Sequence, residues 1–298
     1  MVFHTAFILL TFLYQFGSNF TETGFESFEV NQSHFNQEIL GSDSMSSNRQ
    51  SQIEYFAKID TLHAIDSIIK GANTNASIGN YSKSYDGYWE ALIYSSEISD
   101  STSIGEIYTG LGVLYSMFGR SVDAEKYFNL SLSLQKKDTI ESDRKYGLLS
   151  NTYYMLSCHN RENNNYGIAQ SYLDSCWVLI RQNPLKIETY FLEAEQGYLF
   201  FYKGEIDKGL DLLLKTENEF ISKNPSYLVI LYYFLGNMYF EKRDYKNSEK
   251  YYIKSLEFAE KYNSHQNYVP RTYQKLANLY VQINRVDLAF KIYSYQKI

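Results

Sequence analysis

Small and bulky residues alternate at helical spacing in the last third of the chain. Leu235, Gly236 and Tyr239 fall on one face of a predicted helix, because residues three and four positions apart share a helix face. Ser248 and Tyr252 fall on one face of a second predicted helix. The small residues allow two helix axes to approach closely, and the rings fill the space beside the contact. The pattern therefore predicts a hairpin of two packed helices.

The same pattern returns along the chain, which makes it an internal repeat. One copy follows 41 residues later and ends at Ile298, and the clearest upstream copy lies 124 residues earlier. The small and bulky positions of the other copies are Leu276, Ala277 and Tyr280; Leu111, Gly112, Tyr115, Ala124 and Phe128; Gly197, Gly209 and Leu213; and Ala72, Ser84, Tyr88 and Ala91. The copies predict six hairpins that start near residues 65, 105, 144, 190, 229 and 270.

The third copy is irregular. Tyr154 matches the aromatic position of the first helix, and Ala169, Leu173 and Cys176 match the second helix. The segment between them, SCHNRENNNYG, is about seven residues longer than the repeat length allows. We therefore predict a longer turn or an extended hairpin tip in this copy.

The spacing of a glycine, an alanine and an aromatic residue within each hairpin resembles the tetratricopeptide repeat. Intervals of about 40 residues also occur in HEAT and armadillo arrays, but the spacing of the small residues favours the tetratricopeptide class. The resemblance implies an all-α protein, a right-handed α-α superhelix of about six helical hairpins, with a docking surface as its usual role. In fold only, the array also resembles the repeat-containing sensor region of bacterial membrane-associated regulators.

The segment before the repeats divides by composition. Residues 1–16 form an uncharged apolar run that resembles a secretory signal or a short membrane anchor, although no Lys or Arg precedes it and it is shorter than a bilayer span. The alternative is a buried or amphipathic terminal helix. Residues 17–52 are polar and predict a flexible linker, and residues 53–298 hold the repeat array. An exported or membrane-associated location is therefore predicted, with a cytoplasmic one as the alternative.

No arrangement of reactive side chains in the sequence predicts catalysis. Cys158 and His159 are adjacent, so they point to different faces of a helix and do not form a nucleophile–base pair. We expect Cys158 and Cys176 to be free thiols that pack as small apolar side chains. Glu193 and Glu195 are interpreted as the solvated face of a helix. The five histidines lack metal-ligand spacing, so neither a metal nor a cofactor is predicted.

Charge and composition restrict the class of partner. The net charge is −6, and the Lys and Arg residues are dispersed rather than gathered in a stripe, so direct binding of nucleic acid is not expected. The 30 tyrosines supply rings that pack and hydroxyl groups that reach water or a partner. A protein or peptide partner is the remaining prediction, and no feature of the sequence predicts the oligomeric state.

In tetratricopeptide arrays the concave wall comes mainly from the first helix of each hairpin, and the resemblance places six residues of the last three hairpins there. They are Tyr198, Tyr202, Tyr233, Asn237, Gln274 and Asn278. Rings and amides suit an extended peptide, whose backbone needs hydrogen bonds and whose side chains need flat apolar contacts. The alternative is a solvated groove without a ligand.

These features together predict a non-enzymatic scaffold that binds a protein or peptide, as the sensory or interaction region of a membrane-associated bacterial regulator. No polar capping helix is predicted after the sixth hairpin, which is expected if an output module follows or a partner covers that end. The alternative is a cytosolic assembly scaffold or peptide-pheromone receptor of the same fold. An enzyme is the least favoured class.

Overall fold

The computed structural model describes residues 48–137, 142–182, 188–264 and 268–295, with side chains described from residue 58 to residue 292 within these ranges. The apolar segment predicted at residues 1–16 lies outside the described residues, as does most of the linker predicted at 17–52. Within the described ranges all regular structure is helical. None of these helices is both long enough and apolar enough to cross a lipid bilayer.

Twelve α-helices follow one another in the described residues and pair into six hairpins. The pairs are α1 (Asn48–Ser77) with α2 (Tyr81–Glu97), α3 (Ser101–Met117) with α4 (Ser121–Lys137), α5 (Asp143–Glu162) with α6 (Tyr166–Gln182), α7 (Tyr190–Tyr202) with α8 (Ile206–Lys223), α9 (Leu228–Glu241) with α10 (Tyr245–Tyr262), and α11 (Tyr268–Gln282) with α12 (Val286–Tyr295). A short 3₁₀ helix, Pro225–Tyr227, leads into α9. The predicted all-α solenoid of about six helical hairpins is confirmed.

Each of these hairpins closes through a three-residue turn of the same shape. The middle residue of every turn has a positive φ angle, and the next N–H donates to the carbonyl five residues earlier, as from Arg120 to Tyr115 at 3.0 Å. Glycine occupies the middle position in three turns, where it adopts the left-handed conformation without a steric penalty. Asn164, Arg243 and Asn284 occupy it in the others. The place in the repeat, and not glycine alone, therefore determines the turn.

The third hairpin is as regular as the others, so the prediction of a longer turn or extended tip was wrong. α5 ends at Glu162 and α6 begins at Tyr166, with an ordinary three-residue turn between them. Ser157 holds the small position of α5, twelve residues before Ala169 in α6, and both side chains are fully buried. This separation equals that of the small residues in the neighbouring hairpins.

An unusual side chain at the aromatic position of α5 explains the discrepancy. Asn160, and not Tyr154, occupies the place that Tyr115 holds in α3. Asn160 is buried, and its amide donates a 2.9 Å hydrogen bond to the Leu156 carbonyl of the preceding helical turn. Tyr154 lies six residues earlier, so matching it to the repeat created an apparent insertion that the structure does not contain.

Small residues bring the paired helices into close contact, as the sequence predicts. A Cβ atom on Gly236 would lie 2.5 Å from the ring of Tyr252, and one on Gly112 would lie 2.8 Å from the ring of Phe128. The Ser248 hydroxyl donates a 2.9 Å hydrogen bond to the Gly236 carbonyl and so joins α10 to α9. The rings lie directly against helix backbone, where only a small residue leaves room for them.

Two hydrophobic clusters run through the described residues and meet at α7. The first extends from α1 to α6 and includes Leu192 and Leu199 of α7. The second extends from α7 to α12 and includes Tyr190 and Tyr198 from another face of the same helix. α7 is thus buried on more than one side, so a charged residue on it needs a partner inside the protein.

Gly236→Ala and Gly71→Ala test the close approach with one chemical change in two settings. Gly236→Ala is expected to lower the free energy of unfolding by about 1–3 kcal/mol, because the added methyl group overlaps the Tyr252 ring. Gly71→Ala is expected to raise it by about 0.5–1 kcal/mol, because nothing lies within 4 Å of the added methyl group and alanine favours the helix. Urea denaturation followed by circular dichroism measures both. Wild-type stability of Gly236→Ala would contradict the packing described.

Candidate functional site

The first helices of the third to sixth hairpins, together with Phe220 of α8, surround a small cavity. Its volume is about 20 Å³, which is enough for one water molecule. It is lined by Tyr154, Cys158, Arg161, Phe191, Ala194, Glu195, Tyr198, Phe220, Tyr227, Ile230 and Tyr268. We call these residues, together with Glu162, Tyr202 and Arg271 at their outer edge, the inner-face site. Two charged side chains, one from α5 and one from α7, lie among its aromatic rings.

An ion pair between Arg161 of α5 and Glu195 of α7 forms the centre of the inner-face site. Arg161 Nε donates to both carboxylate oxygens of Glu195, at 2.9 and 3.1 Å. The Arg161 side chain is 4 % exposed and the Glu195 side chain is 0 % exposed. The Ser157 hydroxyl and the Cys158 thiol donate longer hydrogen bonds to the same carboxylate, at 3.4 and 3.5 Å. These contacts replace the hydration that the buried charges lose.

The surroundings keep Arg161 charged. Burial disfavours its charged form, but the Coulombic attraction of Glu195 and Glu162 outweighs this effect and raises the pKa of Arg161 above its usual range. The guanidinium also lies over the rings of Tyr198 and Phe234, 5.4 and 5.6 Å from their centroids. Carboxylates and rings together therefore fix the position of the guanidinium group.

A second ion pair, between Glu162 and Arg271, lies at the outer edge of the inner-face site. Arg161 Nη1 donates to Glu162 Oε1 at 2.5 Å, and Arg271 Nη1 lies 3.8 Å from Glu162 Oε2. Glu162 ends α5 and Arg271 lies in the first turn of α11, so this contact joins the third hairpin to the sixth. Beside it, Tyr202 stacks on Tyr166 with 4.9 Å between ring centroids. The ion pair between Glu162 and Arg271 thus spans the inner face of the fourth and fifth hairpins.

The structure divides the six residues predicted to bind a partner into two groups. Three are exposed, namely Tyr202, Gln274 and Asn278. Three are buried, namely Tyr198, Tyr233 and Asn237. The exposed group is accessible to a partner in this conformation, whereas Tyr198 and Tyr233 pack against rings of neighbouring hairpins and Asn237 packs within its own hairpin. Partner binding by all six remains a prediction.

Asn237 has a partner within its own hairpin, and the pairing recurs in the array. Its Oδ1 accepts a 2.8 Å hydrogen bond from the Tyr252 hydroxyl, fifteen residues later. The Tyr88 hydroxyl donates to Asn73 in the first hairpin at the same spacing. Asn278 stands at the corresponding repeat position of the sixth hairpin. The recurrence of Asn and Tyr at this spacing was the signal in the sequence that could have identified Asn237 as a packing residue.

Glu195 contradicts its interpretation as part of a solvated helix face. Glu193, the other residue of that pair, is partly exposed and forms a 3.3 Å ion pair with Lys215 on the surface. Glu195, two residues later, points into the protein. The burial of Arg161 was missed as well, because charged residues are rarely buried unless they are paired and the sequence does not show the pair. The available signal was that α7 is apolar on several sides, which leaves Glu195 little exposed surface.

The cysteines and histidine of the third hairpin do not form a reactive group. Cys158 and Cys176 are buried free thiols, and burial, followed by the nearby Glu195 charge, raises the pKa of the Cys158 thiol well above its usual range. His159 lies on a different face of α5, where its Nδ1 is 2.6 Å from the Ser116 hydroxyl. Burial lowers the pKa of His159 to about 4. Within the described ranges, no three His, Cys, Asp or Glu residues are grouped to hold a metal ion.

A second charged cluster joins the first three hairpins. Arg144 Nη2 at the start of α5 donates to Asp66 at 3.1 Å and to the Ser103 hydroxyl at 2.9 Å. The same guanidinium lies 3.9 Å from Glu106 and 4.0 Å from Asp100. Burial is the main cause that raises the pKa of Glu106 to about 7. The cluster connects α1, α3 and α5, so contacts within the protein account for these charged side chains.

Comparison with known proteins agrees with this architecture. Residues 227–294 match the tetratricopeptide repeat family model. No curated protein matches the chain significantly. Solved structures with a similar fold include NprR in complex with its cognate peptide NprX, with a TM-score of 0.56 and 16 % identity over 91 % of this chain and 72 % of NprR. The apo form of RapI gives a TM-score of 0.53 and 12 % identity over 91 % of this chain and 68 % of RapI.

A third similar structure is a signal-transduction ATPase from Pyrococcus horikoshii that contains a tetratricopeptide repeat sensor. Its TM-score is 0.55, with 15 % identity over 88 % of this chain and 41 % of the ATPase chain. At these identities the likeness shows the fold alone. The predicted resemblance to tetratricopeptide-repeat proteins is confirmed, and its likeness to a repeat-containing sensor region holds in fold.

Glu195→Gln tests whether the buried ion pair is essential to the inner-face site. The substitution is expected to lower the free energy of unfolding by about 3–5 kcal/mol, because it removes the main counter-charge of buried Arg161. The double variant Arg161→Met/Glu195→Leu is expected to recover a large part of this loss, since both fully buried charges are gone and the partly exposed Glu162 keeps Arg271 as a partner. Chemical denaturation of both variants, with Glu193→Gln as the exposed control, measures the effect. A double variant that is less stable than Glu195→Gln would contradict this explanation.

Proposed function

We propose that this protein is a non-enzymatic scaffold that binds a protein or peptide on the inner face of its last three hairpins. The observation that carries the proposal is the exposure of Tyr202, Gln274 and Asn278 on the first helices of the fourth and sixth hairpins. One ring and two amides supply flat apolar contact together with donors and acceptors for a peptide backbone. The similar fold of NprR, whose solved structure contains a cognate peptide, supports the same class of partner.

The environment of the reactive side chains supports the non-enzymatic part of the proposal. The Cys158 thiol is fully buried, and its raised pKa leaves it protonated at neutral pH. The His159 imidazole is buried against Ser116 and Phe128, 5.8 Å from the Phe128 ring, so it is not directed into the inner-face site. A thiol kept protonated and an imidazole on another face do not form a nucleophile and base.

We propose further that residues 1–16 attach the scaffold to a membrane or direct its export, as the sensory or interaction region of a bacterial regulator. Their uncharged apolar composition supports this proposal. The second candidate is a cytosolic assembly scaffold or peptide-pheromone receptor, which the likeness to peptide-bound NprR favours. Mass spectrometry of the mature N-terminus separates the two. Loss of the leader supports export, and an intact Met1 in the soluble fraction supports the second candidate.

The groove variant Tyr202→Ala/Gln274→Ala/Asn278→Ala tests binding at the inner face. Peptides are first selected on the wild-type chain from a random displayed library, and their dissociation constants are then measured by fluorescence anisotropy. The groove variant is expected to weaken binding by about tenfold or more, because it removes the ring and both amides. Tyr94→Ala is the matched control, since Tyr94 of α2 is 38 % exposed, as is Tyr202. Equal affinity of the groove variant and the wild type would exclude this surface.

A further inference from the structure

Glu162 is the less firmly held of the two carboxylates of the inner-face site. Its side chain is 19 % exposed, whereas the Glu195 side chain is fully buried. As the last residue of α5 it lies at a helix C-terminus, where the aligned peptide dipoles disfavour a negative charge. Its position therefore depends on two guanidinium groups, that of Arg161 in the third hairpin and that of Arg271 in the sixth.

Both arginines have hydrogen-bonding capacity that Glu162 does not use. Arg161 donates through Nε to Glu195 and through Nη1 to Glu162, while no acceptor in the described part of the chain receives a hydrogen bond from its Nη2 group. Arg271 is 33 % exposed, and its 3.8 Å contact with Glu162 is longer than a hydrogen bond. Two guanidinium groups thus face the Glu162 carboxylate, and neither makes with it the two-point contact that guanidinium and carboxylate groups can form.

Aromatic side chains surround these two arginines. The Arg161 guanidinium lies over the Tyr198 and Phe234 rings, and the Tyr202 ring lies 6.1 Å from the Phe234 ring, centroid to centroid. The Arg271 guanidinium lies 5.8 Å from the centroid of the Tyr268 ring, which in turn packs against Tyr233 with 5.2 Å between ring centroids. A carboxylate that binds here therefore meets two cations and several rings, which fits an acidic residue or the free C-terminus of a peptide with apolar neighbours.

We propose that Arg161 and Arg271 form a carboxylate-binding position that Glu162 occupies in this structure, and that a carboxylate of a bound peptide takes its place. This proposal rests on the peptide-binding function proposed above and adds the chemistry of the ligand. Glu195 already neutralises Arg161, so the exchange of Glu162 for one carboxylate leaves the charge of the position unchanged. A phosphate with two charges would add repulsion from Glu195, and one carboxylate is therefore the group that fits.

Chemical rescue tests this position with acetate in place of a peptide carboxylate. Glu162→Ala removes the carboxylate and leaves a space between the two guanidinium groups. Sodium acetate at about 0.2 M is expected to raise the Tm of Glu162→Ala by about 2 °C more than sodium chloride of the same concentration does, because acetate binds only the folded state. Differential scanning fluorimetry measures the shift. In the wild type, Glu162 competes with acetate, so the two salts are expected to differ by much less.

Three control variants separate binding at this position from general salt effects. Glu193→Ala removes a partly exposed carboxylate that pairs with one lysine, and acetate is expected to give it no specific stabilisation. Glu162→Ala/Arg271→Gln lacks one of the two cations, so the acetate effect is expected to disappear. Glu162→Ser repeats the rescue with another small side chain, so that instability of the alanine variant does not decide the outcome.

The proposal is overturned if acetate stabilises Glu162→Ala and Glu162→Ser no more than it stabilises the wild type or Glu193→Ala. It is also overturned if the acetate effect persists without Arg271. Its failure is distinguishable from failure of the proposed function. Acetate rescue in a chain that selects no peptide would support the carboxylate position alone, whereas peptide binding without rescue would support the groove alone.

Discussion

Paired helices cross so closely that a bulky side chain of one helix lies against the backbone of the other, as Phe128, Leu213 and Tyr252 do in the second, fourth and fifth hairpins, and the rest of the structure depends on this contact. Glycine at such a crossing costs about 0.5–1 kcal/mol of helix stability relative to alanine. Burial of the Tyr252 ring against Gly236 and the hydrogen bond from Ser248 offset this cost. Because the spacing between the small residues stays at twelve, the same three-residue turn closes each described hairpin.

The first helices of successive hairpins lie on a shared inner face. On this face, ion pairs join the hairpins in addition to apolar contacts. α7 contributes to both hydrophobic clusters, so Glu195 on that helix has no route to solvent and pairs with Arg161. A buried pair of this kind adds little net stability, but it penalises any arrangement that separates its members. Glu162 and Arg271 extend the same network to α11. The peptide binding proposed for this face is therefore expected to depend on how the third and sixth hairpins lie relative to each other.

The sequence predicted the hairpins well because the contact between paired helices is local. Small and bulky residues recur within about twenty positions of each other, and a repeat makes the pattern visible several times. The third hairpin was misread because Asn160 replaces the expected ring and Tyr154 offered a false match. The inner-face site could not be predicted in the same way. Arg161 and Glu195 are 34 residues apart and Glu162 pairs with a residue three hairpins later, so their burial follows from the stacking angle of successive hairpins.

Amide hydrogen exchange resolved at single residues is the most direct test that evenly spaced close contacts organise the whole array. The third hairpin is decisive, because there the structure and the sequence pattern differ. Close packing of α5 on α6 predicts slow exchange along α5 to Glu162, fast exchange confined to residues 166–168, whose N–H groups begin α6, and slow exchange again from Ala169, whose N–H donates to the Asn165 carbonyl at 2.9 Å. Fast exchange that extends back from the turn through Ser157 would contradict it, since Ser157 and Ala169 would then not be packed together.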